Sequence, residues 1–183
     1  MNADPESLEE PPSLDAHARD VVIECALWRA PPFGPNDADA TARQAQEAAA
    51  AELGLGGGHG WATLLADDAT LQRLNADYRG KDRPTNVLSF PSFAPGDLPA
   101  AGHLGDIAIS AETVLAEALD ARKPALHHLA HMVVHGLAHL AGYDHATDAE
   151  AEEMEALEVR ALARIGVPDP YAPDAAERQA ERA

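Results

Sequence analysis

Three histidines, at positions 135, 139 and 145, constrain this chain more than any other feature. They lie in the stretch His135-Gly136-Leu137-Ala138-His139-Leu140-Ala141-Gly142-Tyr143-Asp144-His145. On a helix, residues four apart share a face, so His135 and His139 can aim both imidazoles at one point. Gly142 is suited to end that helix, because a residue without Cβ accepts the left-handed conformation of a C-terminal cap. The chain can then turn back and bring His145 to the same point. Three imidazoles with a fourth position open is the ligand set of a catalytic zinc site, whereas structural zinc sites are closed by four protein ligands. Zinc suits the donors best; nickel, copper or another divalent ion remains possible, since affinity order does not select the metal.

The spacing is that of the metzincin proteases, with one difference. Where those enzymes carry the glutamate that acts as general base, this chain has Gly136. The metal cage is present and the peptidase base is missing. Asp144 is the nearest acid in sequence; the supporting reading, in which it shapes the loop or orients His145, is preferred over a role as base. His127 and His131 extend the same helix face toward its start, too far along to join the ligands. They read either as ordinary packing residues or as groups that meet substrate or support the ligands. His59 and His103 have no such company and read as surface residues. Met154 falls in a helical pattern with Leu157 and reads as core rather than as a metzincin Met-turn.

Composition narrows the class. A length of 183 residues with 46% hydrophobic residues suits one core. The single cysteine, Cys25, cannot form an internal disulfide, which suggests a reducing compartment. The acidic N-terminus is unlike a secretory signal and no apolar run is long enough to span a bilayer, so a cytoplasmic location is expected. The net charge of -18 argues against a generic nucleic-acid binder. Yet four of the thirteen basic residues, Arg73, Arg79, Lys81 and Arg83, cluster within a short stretch, and a local basic patch on an acidic body is compatible with steering. The plain reading of Arg79, Lys81 and Arg83 is a solvated turn. For a phosphodiester substrate they are the substrate-binding candidates, with Arg79 the best placed to hold and stabilise a phosphate through its planar guanidinium.

The pattern along the chain predicts an α+β fold. Residues 1–18 read as a disordered acidic leader, 19–172 as a single domain and 173–183 as a flexible tail. Strands are expected at 21–28, 61–66, 85–90 and 104–110. Helices are expected from Asp37 or Asp39 to Leu53, after Asp67 or Asp68 with Leu71, Leu74 and Tyr78 buried, over 112–122, from Pro124 through the histidines, and from a cap at Asp148. The glycines between 54 and 60 read as a flexible connection, since they lack the Lys-Ser/Thr ending of a phosphate loop. The sum is a small mixed four-stranded sheet packed with about five helices, one of them a zincin-like metal-binding helix.

Three separate stretches resemble the YbeY family of bacterial endoribonucleases. They are Leu74 to Pro91, with Tyr78-Arg79-Gly80-Lys81-Asp82-Arg83-Pro84-Thr85-Asn86 at its centre; Leu104-Gly105-Asp106-Ile107; and His131-Met132-Val133-Val134-His135-Gly136 leading into Gly142-Tyr143-Asp144-His145. The likeness runs over roughly 61–171 and is weak before Trp61; the acidic leader and the glycine-rich insertion depart from it. The resemblance implies a metal-dependent, single-strand-specific endoribonuclease acting in ribosomal RNA maturation, at the 3′ end of the small-subunit RNA, and in ribosome quality control. It implies His135, His139 and His145 as the ligands of one zinc per chain, with His135 and Arg79 counted as catalytic. The nucleophile stays open between hydroxide generated at the metal and a 2′-hydroxyl. Implied partners are ribosomal RNA or the ribosome, with a ribosomal protein or an Era-like GTPase to deliver the RNA, and neither DNA nor a membrane. The acidic helix 148–165 could meet a basic ribosomal protein. Two rivals remain: a non-catalytic ribosome-assembly factor with a structural metal, and a metallopeptidase with a base from elsewhere.

Overall fold

Alternating apolar residues create the sheet that carries the site. In strand β2 (His59–Ala66) Trp61, Thr63 and Leu65 all point to one face and are fully buried, while Leu64 and Ala66 serve the other. Strand β4 (Gly102–Ser110) repeats this with Ile107 and Ile109 on the first face and Ala108 on the second. The structure is a computed structural model and describes residues 18–94 and 96–172. The leader up to residue 17 and the tail 173–183 lie outside the described residues.

The four strands stand in the order β1-β2-β4-β3. Strand β1 (Arg19–Ile23) runs parallel to β2 and β2 parallel to β4, while β3 (Val87–Pro91) is antiparallel to β4 at the edge. Among the described residues five α-helices accompany them: α1 (Asp37–Leu53), α2 (Asp68–Arg79), α3 (Ala111–Asp120), α4 (Ala125–Leu140) and α5 (Asp148–Arg164). The mixed four-stranded α+β domain expected from the pattern is therefore what forms. Helix α4 is apolar nearly all round because it is enclosed: it packs on β3 and β4 and is flanked by α1, α3 and α5. Alanines 38, 42, 45 and 49 of α1 are fully buried, which lets that helix approach closely. Helix α2 covers part of the opposite face through Leu71, against Leu88, Ala66 and Ala108.

Four local expectations are corrected. The first strand stops at Ile23, and Ala26–Arg29 form a 3-10 helix. That turn seats Trp28 against Phe33, ring centroids 4.5 Å apart, with its indole N–H donated to the Ala66 carbonyl at 2.9 Å. Tyr78 is 70% exposed rather than buried. The buried face of α2 passes through Leu71 and the polar Asn75 instead, because Asn75 donates its side-chain N–H to the Arg83 carbonyl at 2.8 Å and ties down the following turn. The cap of α5 is Thr147, in a reciprocal capping box with Glu150, and Asp148 is the first helical residue. The cap position of α1 is Asn36, not Asp37 or Asp39, and its side chain makes no capping bond. Asp67 does cap α2, accepting the Thr70 N–H at 2.8 Å.

Candidate metal centre and the adjoining cleft

Helix α4 ends in a tight hydrogen-bonded turn. The Gly142 N–H bonds the His139 carbonyl and the Tyr143 N–H bonds the Ala138 carbonyl, each at 3.0 Å, with Gly142 at φ 92. This is the Schellman pattern that a glycine beyond the helix end permits. The turn sets the Tyr143 carbonyl below the helix, where it accepts the His139 Nδ1–H at 2.9 Å. One turn back, His135 Nδ1–H donates to Glu158 Oε1 of α5 at 2.8 Å. Both Nδ1 atoms are thereby committed as donors, so in the neutral rings the free lone pair is on Nε2.

Those two Nε2 atoms face each other at 3.1 Å. Two acceptors at that distance repel unless a cation lies between them, and tetrahedral zinc at its usual bond length holds two nitrogens about 3.4 Å apart. His145 completes the group: the ligand atoms of His135, His139 and His145 all lie within 4.8 Å of one another. The donor set thus fits one divalent ion. Burial, and next to it the neighbouring His135, push the His139 imidazole down to about 4, so it stays neutral as a ligand must. Asp144 accepts the His145 backbone N–H at 2.8 Å. The contact is with the backbone, and it shapes the loop that presents the third histidine.

Two of the three histidines, His139 and His145, border a cleft of about 370 Å³, lined also by Tyr143 and Asp144 and by Ser89, Pro91 and Phe93. Arg79, the last residue of α2, stands in the same lining. The end of α2 therefore brings one of the three basic candidates to the cleft that His139 and His145 border. Lys81 and Arg83 are exposed in that turn and are not among the residues lining the cleft.

Gly136 has a packing reason that spacing could not reveal. A Cβ there would come within 2.8 Å of Cγ2 of Ile107, a fully buried residue on β4. Helix α4 crosses the sheet too closely for any side chain at this position, and the Ser89 hydroxyl donates to the Gly136 carbonyl at 3.1 Å. Gly136→Ala is expected to lower stability by about 1–3 kcal/mol through overpacking. Chemical denaturation would check this, and an unchanged midpoint would show that Ile107 yields freely.

Glu158 escaped the sequence reading, which placed it only in the acidic final helix. It is fully buried and also accepts from His131 Nε2 at 2.8 Å and from the Tyr171 hydroxyl. Burial opposes its charge, but the hydrogen bonds from His131 and His135 outweigh it and hold the carboxyl at about 2. Tyr171, half-exposed beside it, is pushed up by burial and by that carboxylate. The only sequence signal was a glutamate at a core-facing position between Met154, Leu157, Ala161 and Leu162. His131 is thus a partner of Glu158. His59 is half-buried rather than a surface residue, bonded through Nε2 to the Pro99 carbonyl at 3.0 Å, whereas His103 is exposed beside Asp106. Met154 is buried in the core.

A family model described as Endoribonuclease YbeY matches residues 32–166. A protein of Nitrobacter hamburgensis named Endoribonuclease YbeY is 50% identical over 167 residues, covering 88% of this chain and 85% of its own length. One of the same name from Rhodopseudomonas palustris is 51% identical over 156 residues, covering 84% and 80%. A Thermotoga maritima protein of known solution structure shares the fold with a TM-score of 0.51 at 22% identity, over 85% of this chain and 99% of that one.

Proposed function

This chain belongs to the Endoribonuclease YbeY family, and from that membership we propose that it is a metal-dependent endoribonuclease that cuts single-stranded RNA in the maturation of ribosomal RNA. The observation that carries the reading is the shared cleft: Arg79 lines the same space as His139 and His145. A centre that holds a metal and a guanidinium over one opening suits a phosphodiester, whose charge needs both.

In this reading His135, His139 and His145 hold the ion, with zinc the best fit to three imidazoles. The chemistry supplied at such a centre, when a divalent ion is bound, is polarisation of a phosphoryl oxygen and a water pKa lowered toward about 7. Arg79 binds the phosphate, orients it toward the histidines and stabilises the charge that builds as phosphorus is attacked. Lys81 and Arg83, just outside the cleft, meet neighbouring phosphates of the strand. Among the described residues no fourth His, Cys, Asp or Glu joins the group, which favours an open catalytic position over a structural metal. The packing of Gly136 on Ile107 counts against a peptidase, because that enzyme's base would need a side chain there. The substrate's natural setting would be the ribosome, in a reducing, cytoplasmic compartment, with quality control of defective particles as a second use of the same cut.

The test is cleavage of a small-subunit ribosomal RNA fragment spanning the 3′ end. Cleavage is expected with purified protein, to vanish on chelation and to return on adding back zinc or another divalent ion. Activity that survives chelation, with the ion shown by elemental analysis to be gone, would defeat the metal-dependent reading. The product ends identify the nucleophile: a 2′,3′-cyclic phosphate means attack by the 2′-hydroxyl, a simple phosphate end means attack by water.

A further inference from the structure

Glu158 is the charged group that the proposed chemistry leaves without a task, and it is fully buried. A carboxylate out of water is costly unless donors fill its lone pairs. Three donors do so: His135 Nδ1–H on Oε1, and His131 Nε2–H and the Tyr171 hydroxyl on Oε2. The donors come from successive turns of α4 and from the segment after α5. Core packing does not require this arrangement; an apolar side chain would fill the same place among Met154, Leu157 and Ala161 at less cost.

We propose that Glu158 is a positioning residue for the metal centre, holding His135 in the tautomer that frees Nε2 for the ion, while His131 and Tyr171 hold Glu158 itself. This rests on the metal-binding part of the function proposed above. A neutral imidazole has two tautomers, and with the proton on Nε2 it is no ligand. His139 meets this need with the Tyr143 carbonyl at 2.9 Å, and His135 meets it with Glu158 at 2.8 Å. The two acceptors differ in charge. A carboxylate behind the ring raises the donor strength of the opposite nitrogen, as outer partners of metal-bound histidines do. His131 lies one turn before His135 on the same face, but its Nε2 is spent on Glu158, so it supports the centre without joining it.

A purely structural role would cost stability and leave metal affinity unchanged, and the experiment separates the two. Glu158→Gln keeps the shape and removes the charge; Tyr171→Phe removes one donor at a side chain that is 44% exposed, where the fold tolerates change. For both, cobalt(II) and zinc affinities are measured by competition with a chromophoric chelator. The His135 tautomer is read from imidazole nitrogen NMR shifts in metal-free protein. Glu158→Gln is expected to lose about 10–100-fold in affinity, with the Nδ1–H form of His135 less populated, because a neutral amide can turn either its oxygen or its N–H to that nitrogen; Tyr171→Phe shifts both readouts the same way by less. Wild-type affinity and tautomer in both variants overturn this inference alone, whatever their stabilities. A wild-type protein that takes up neither ion overturns the metal reading and this inference with it.

Discussion

Arg79→Ala is expected to fold and load metal like the wild type while cutting RNA about 10²–10³-fold more slowly, the usual cost of losing one preorganised donor to a developing oxyanion. The side chain is exposed at the end of α2 and lines the cleft, and among the described residues it makes no hydrogen bond or ion pair, so its truncation removes no buried packing. Surface changes of that kind stay within about 0.5 kcal/mol of wild-type stability. Arg79→Lys keeps the charge without the planar fork and is expected to recover part of the loss. His139→Ala gives the contrast: it deletes one ligand and the bond to the Tyr143 carbonyl, so metal and cleavage are lost together. Single-turnover cleavage beside metal stoichiometry and circular dichroism separates the cases. Arg79→Ala cleaving within twofold of wild type would remove Arg79 from the reaction.

Gly105→Ala is expected to be among the most damaging single changes outside the three-histidine cluster. Strand β4 passes β3 so closely that a Cβ at 105 would sit 2.2 Å from the Phe90 carbonyl oxygen and 2.9 Å from Pro91 Cα. Neither is a flexible side-chain tip; both are backbone of the paired strand, in register at Pro91↔Gly105. The residue also has φ 137, which L side chains rarely adopt. Strain and overpacking together amount to about 3–5 kcal/mol, a large part of a small domain's total stability. The third close atom is Leu140 Cδ2, at the end of the histidine helix, so the displacement would reach the metal centre. Urea unfolding would read the loss; a wild-type midpoint would mean that β3 can move away at little cost.

The sequence was most legible where the physics is local. His135 and His139 are one helical turn apart, and Gly142 ends that helix as its missing Cβ allows, so the convergence of the two imidazoles followed from spacing. Alternation of apolar with small or polar residues marked β4, and Asp67 or Asp68 signalled the start of α2, where Asp67 is the cap. The misses have equally physical causes. Trp28 was drawn into a strand by its β-branched neighbours, but its indole needed an acceptor and found the Ala66 carbonyl across the fold. Tyr78 matched an i, i+7 pattern, yet the sheet's second face is only partly covered, and the tyrosine rests edge-on against Phe90 at 5.0 Å instead of being enclosed. Asn75 was overlooked because a polar residue is counted as exposed unless its partner, here the Arg83 carbonyl, is known.

The sequence by itself determined the class of the fold, which three histidines could be brought together and, through a resemblance in motif order, the family. Each of those is encoded in spacings of a few residues, where the geometry of one helix turn or one strand suffices. Tertiary structure alone decided what surrounds the three histidines. It brought Arg79 and not Lys81 or Arg83 into the cleft, set Glu158 behind His135 from 23 positions away, and gave Gly136 its reason in the side chain of Ile107. Such contacts depend on how helices pack on a sheet, and side chains distant in sequence meet only once the core has closed around them.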